Sequence, residues 1–464
     1  MTDILIENID WLITVDPQRR ILTGGAIAIA GDRIAAIGKT DQLRGLRPSA
    51  GRTIDARGKV ALPGLIDTHI HTSFQLSRGL ADEVSAAKFL FERLYPYEGL
   101  LNEEESYWSS KLCILELLRN GVTTFIDAGN YHPDQTARAA GETGVRCVVA
   151  KSALDIVKSG FGALPERFIE TADQALERAE AVFQKWNGAY DGRIRAWFQF
   201  RGIPNSTDQL IRGMKQLADR HATGLQTHAC FSKETLESCN TQFGCTEIKR
   251  LSKLGVLGAN LLSVHSGWIS PEEIQLIKEH DVKIAAAPSS SLHNGYGCIL
   301  MGRIPEFIEM GVAVGLGSDH ASSGIVDLVQ EMFLITGAYK EVRLNTTVLP
   351  PERVVEMATI NGARCALWEK EIGSLEVGKK ADLTMFDTRT AQWQPLYNPL
   401  SNLVYSATGA SVDTVICDGK VLMEGRRLKT IDEDRVFDEV ARLMPVILKK
   451  TGLADKVKPK WPVF

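Results

Sequence analysis

His69 and His71 stand two residues apart in Thr68-His69-Ile70-His71, at the end of a short apolar run. In an extended chain alternate side chains share a face, so two imidazoles at this spacing can grip one ion. Of the nine histidines in the chain, His228 and His265 also end short apolar runs, and Asp319 ends another. Nitrogen donors joined by one carboxylate suit a divalent cation, zinc first, with cobalt, iron or manganese compatible. A cation of this kind lowers the pKa of bound water toward neutrality, which is hydrolytic chemistry. Asp319 could bind the ion and also accept the proton of the attacking water. His265 could hydrogen-bond that water or the substrate's reacting group instead of ligating. Arg201, in Phe198-Gln199-Phe200-Arg201, could polarise a carbonyl oxygen or hold an anionic group, or form a structural ion pair. His293 could reach the rim of such a site. His320, the neighbour of Asp319, should point away from it on a regular strand, or support the site from behind if the strand end bends. His221 and His280 end helical patterns, and His132 lies in a loop.

These residues need a scaffold that brings distant strand ends together. Eight short apolar runs, Gly64–His71, Val122–Gly129, Val145–Ala153, Ile194–Gly202, Gly224–Phe231, Leu261–Trp268, Lys283–Ser291 and Ala313–Ala321, alternate with amphipathic helical stretches. Strand and helix alternating eight times predicts a (β/α)8 barrel, an α/β TIM-barrel fold with its chemistry at the C-terminal ends of the strands. An open doubly wound sheet is the alternative, but no GxGxxG opens the first helix. Residues 1–60 and 371–430 carry short alternating strand patterns instead. They predict a small β-sandwich built from both termini, flanking a barrel over 61–370 and followed by a C-terminal helix and tail over 431–464.

Composition narrows the partners. The chain has 464 residues and a formal net charge of −4, with a pI near 6.2. That argues against nucleic acid or an anionic membrane as partner; the expected partner is a small-molecule substrate. No basic segment followed by a long apolar run opens the chain, and no stretch reaches the ~18–20 apolar residues of a membrane span. Eight cysteines without a CxxC pair read as free thiols of a cytoplasmic protein.

Several longer motifs resemble the amidohydrolase superfamily. Val60-Ala61-Leu62-Pro63-Gly64-Leu65-Ile66-Asp67-Thr68-His69-Ile70-His71 is similar to its first-strand motif. Gly315-Leu316-Gly317-Ser318-Asp319, Ala358-Thr359-Ile360-Asn361-Gly362-Ala363-Arg364 and Ile372–Leu383 follow in the family's order. The nearest branch is that of the s-triazine hydrolases and adenosine-type deaminases. The resemblance implies one metal held by His69, His71, His228 and Asp319, with His265 and Asp319 as catalytic groups, and often a homo-oligomer. The bridging lysine of the two-metal branches is absent from the fourth strand. Deaminases of this branch carry a glutamate three residues after the fifth-strand histidine, where this chain has Phe231. The resulting expectation is a mononuclear hydrolase cleaving a urea, carbamate, thiocarbamate or amide, similar to the phenylurea and molinate hydrolases. Arg201, His293 and Phe231 are then substrate-binding candidates. The alternative is a deaminase or dehalogenase of a nitrogen heterocycle of s-triazine, purine or pterin type.

Overall fold

The computed structural model describes residues 2–462. Four parallel strands, Leu65–Ile70, Val122–Asp127, Arg146–Val149 and Ile194–Ala196, form one sheet in that order. Five more, Phe198–Gly202, Leu225–Ala229, Leu261–His265, Lys283–Ala286 and Val314–Leu316, form a second. Every residue of Leu65–Ile70 and Val122–Asp127 is buried, as expected of parallel strands covered on both faces. All eight runs of the sequence become strands, in order.

The fourth run divides at Trp197. Its amide donates to the Val149 carbonyl at 2.9 Å, whereas the next amide, of Phe198, donates to Gly224 at 3.1 Å. The chain thus passes from one sheet to the other within a single extended run. At the opposite seam Ile70 and Asp319 pair in a parallel bridge. The His71 amide donates to the Asp319 carbonyl at 2.6 Å, and the Asp319 amide donates to the His69 carbonyl at 2.8 Å. The seventh and eighth strands are shorter than the sequence runs. Pro288 starts the helix Pro288–Asn294 immediately after the seventh, as expected for a proline in a first helical turn.

The terminal segments form one nine-stranded mixed sheet. Its join is the antiparallel pairing of Lys59–Pro63 with Leu383–Asp387, Leu62 opposite Thr384. Where the sequence suggested two facing sheets, the hydrogen bonding is continuous, because Lys59–Pro63 is paired on both edges, with Ile4–Ile13 on the other. Buried Arg146, on a parallel strand, donates to Asp382 at 2.6 Å and to Asp418 at 2.6 Å, tying this sheet to the parallel ones. The helix Glu433–Thr451 follows. Among the described residues no helix is long and apolar enough to cross a membrane.

Candidate active site

The C-terminal ends of the parallel strands bring together His69, His71, His228, His265 and Asp319. His69, His71 and His228 each offer a nitrogen within 4.8 Å of the others, and so do the ligand atoms of His69, His265 and Asp319. His71 Nε2 is 3.1 Å from His228 Nε2. Asp319 Oδ1 is 3.2 Å from His69 Nε2 and 3.5 Å from His71 Nε2, and Oδ2 is 3.9 Å from His265 Nε2.

The backbone explains the convergence. His265 and Asp319 both have positive φ, 69° and 63°. Left-handed conformations are costly for residues with a Cβ and gather at functional sites. Gly317 lies so close to His69 that a Cβ there would be 2.8 Å from the His69 Cβ, so the last strand can approach the first only with glycine at this point.

The donor set fits a metal ion. Both ring nitrogens of fully buried His69 lack a hydrogen bond of acceptable geometry, and buried polar atoms are normally satisfied. His228 Nδ1 is 2.6 Å from the Arg201 carbonyl oxygen. A carbonyl can only accept, so the proton sits on Nδ1 and Nε2 presents its lone pair to the cluster. Burial, and then the Arg201 guanidinium, push the His71 pKa well below the usual imidazole range. Burial, and then His69, do the same to His228, which keeps both rings neutral as ligands must be. Burial would raise the Asp319 carboxyl, but His320, His69 and His265 around it hold it well below the usual range.

Above the cluster lies a cavity of about 600 Å³ including its open mouth, lined by His71, His228, His265, Asp319, Arg201, Phe231 and His320. Phe74, Tyr95, Phe161 and Tyr296 supply much of its apolar wall. Phe231 packs at 5.6 Å from the His265 ring and 5.3 Å from Tyr296. Phe74, Phe231 and Tyr296 line the cavity, whereas Phe89, Phe91, Trp108 and Trp268 do not. Arg201 is both ion-paired and exposed to the cavity: its Nη1 lies 2.5 Å from buried Glu98 Oε2. His293 does not line the cavity and pairs with Asp82 at 3.2 Å near the surface.

Three further residues lie at or beside the cavity. His320 turns inward because the positive φ of Asp319 bends the strand end. Its Nε2 is 3.5 Å from Asp319 Oδ1, and Ser322 and Ser323 lie 2.9 and 3.0 Å from its Nδ1. Glu98 and Glu247 sit in helical segments with no sequence signal that would direct them inward.

The amidohydrolase family model matches residues 60–422. The chain is 35% identical to a 5'-deoxyadenosine deaminase of Methanobrevibacter smithii over 420 residues, covering 90% of this chain and 92% of that one. It is 33% identical to a 5-methylthioadenosine/S-adenosylhomocysteine deaminase of Moorella thermoacetica, covering 91% and 95%. In structure it is similar to a zinc-bound adenosine deaminase of Xanthomonas campestris, with a TM-score of 0.89 at 26% identity, covering 97% and 99%. It is also similar to an atrazine chlorohydrolase of Arthrobacter aurescens complexed with zinc, with a TM-score of 0.88 at 26% identity, covering 95% and 100%. On the family match and these full-length relatives, the chain belongs to the amidohydrolase family and is a hydrolase of carbon–nitrogen bonds other than peptide bonds.

Proposed function

We propose that this enzyme uses one divalent ion, zinc first, to hydrolyse an amino or comparable substituent from an electron-poor nitrogen heterocycle of nucleoside or triazine size. One observation carries the reading: a histidine–aspartate cluster, with the His69 nitrogens buried and unbonded, lies beneath a cavity walled by aromatic rings. Relatives named for adenosine-type deamination and atrazine hydrolysis support the substrate class.

His69, His71, His228 and Asp319 would hold the ion, which acidifies a coordinated water when bound. Asp319 takes the proton of the attacking water, with His265 hydrogen-bonded to the same oxygen. Arg201 stays fixed by Glu98 beside His71, where its positive charge helps keep that imidazole neutral. Phe231, Tyr296 and Phe161 stack on or flank a flat ring and exclude bulk water. His293 would act, if at all, at the rim. In this reading the two parallel sheets serve as one (β/α)8 barrel over 61–370. Segments 1–60 and 371–430 form the companion β-domain, and 431–464 the closing helix and tail.

A second reading has one specific observation in its favour. Phe231, an apolar group, lies against His265. Such a neighbour suits a urea, carbamate or thiocarbamate, whose leaving group needs less proton help than a ring amine. Incubating metal-replete protein with 5'-deoxyadenosine, atrazine, a dimethylphenylurea and a thiocarbamate separates the two. Ammonia or chloride release supports the heterocycle reading, whereas release of aniline or thiol without either would overturn it.

A further inference from the structure

Two carboxylates line the cavity among the described residues, Asp319 and Glu247. Asp319 lies among the histidines. Glu247 opens the helix Glu247–Lys253 but is turned inward and only 1% exposed. The Cys230 amide donates to its Oε2 at 2.9 Å, and Thr235 Oγ1 donates to the same oxygen at 3.2 Å. These bonds fix the carboxyl beside the loop that follows the His228 strand, with both on one oxygen. Glu98, the other acid nearby, is committed to Arg201 and to Ser73.

The ionisable groups around Glu247 leave its charge unanswered. Burial pushes the Cys230 thiol well up and those of Cys239 and Cys298 to about 12. Glu273, engaged with Thr246 at 2.6 Å, adds a like charge. Arg250, on the same helix, spends its guanidinium on the Ile203 and Ser206 carbonyls and on Asp208. None of the groups acting most strongly on Glu247 is a cation, and burial lifts its carboxyl to about 7. An acid poised there can both give and take a proton near neutral pH.

We infer that Glu247 is the acid–base residue of this site, hydrogen-bonding a ring nitrogen next to the carbon under attack and protonating it. The inference rests on the heterocycle reading. As the water oxygen bonds to the ring carbon, the ring C=N pair moves to nitrogen, which takes the Glu247 proton. Asp319 passes the proton it took from water to the amino group. The carbon–amine bond then breaks, ammonia leaves, and the remaining hydroxyl proton reloads Glu247 as the carbonyl forms. Phe231, at the end of the fifth run, cannot carry a proton, so this role falls to the other acid in the same cavity.

The test is calorimetric binding of purine ribonucleoside, which has the ring nitrogens and no amino group to lose, in buffers of different ionisation enthalpy. The wild type should take up close to one proton per ligand at pH 8 and close to none at pH 6. Glu247→Gln, which keeps an acceptor for the Cys230 amide, should take up none at either pH. Binding with equal uptake by both proteins, or wild-type binding without uptake at pH 8, overturns the role of Glu247 alone. No binding by the wild type at millimolar ligand overturns the heterocycle reading together with it.

Discussion

Arg201 Nη1 lies 2.5 Å from Glu98 Oε2, and the two side chains are 3% and 2% exposed. An ion pair this deep is held by its own reciprocity. Removing one partner leaves a bare charge in a low-dielectric interior, at roughly 3–5 kcal/mol. Glu98→Gln and Arg201→Met should each lose about that much in urea unfolding, and the double variant should lose clearly less than their sum. Additive losses would show that the pair is not coupled.

Removing the ion is expected to silence the enzyme and lower its melting temperature, because an ion bound only by the folded state stabilises it. Zinc or cobalt added back should restore both. His69→Ala should purify with less than a tenth of the wild-type metal content. Active protein without a near-stoichiometric divalent ion would sink the proposed chemistry.

Gly317→Ala tests how the last strand is seated. Its new Cβ would press on the Cβ and backbone of His69, so the ligand must shift. Metal affinity should fall on the order of tenfold, about 1.4 kcal/mol, measured by competition with a chromogenic chelator. Unchanged affinity would mean that the strand can give way without moving His69.

The Glu247 carboxyl also makes stability depend on pH. Its folded value of about 7 lies above the ordinary 4.5, so the folded state binds this proton more tightly than the unfolded chain. The associated stability is complete below about pH 4.5 and is lost as pH rises through 7. Over that interval the loss approaches roughly 3 kcal/mol at 1.4 kcal/mol per pH unit. Glu247→Gln should therefore gain on the wild type in urea unfolding between pH 5 and pH 8. A constant difference between the two proteins would contradict this.

Phe231→Ala should act on binding. The ring packs against Phe161, Tyr296 and His265, and a wall of this kind holds ground and transition states alike. KM for a flat aromatic substrate should rise about tenfold with kcat changed much less. A fall in kcat at constant KM would instead place Phe231 in the chemical step.

Much of this enzyme is legible along the chain because it depends on local periodicity. The eight apolar runs each report a strand buried on both faces, and the i, i+2 histidines report two side chains on one face of the first. Their spacing already says which residues lie at strand ends, and hence which histidines can meet. Local pattern cannot say how a strand end bends. His320 enters the cavity because Asp319 adopts a positive φ, a conformation imposed by packing and not by residue type. Nor can it pair residues far apart in sequence. Glu98 meets Arg201 across 103 positions, and Glu247 meets Cys230 across 17, in helices whose own patterns give no reason to turn an acid inward. Periodicity records the burial of a segment, whereas the partner of a buried charge is chosen by the surface that closes over it.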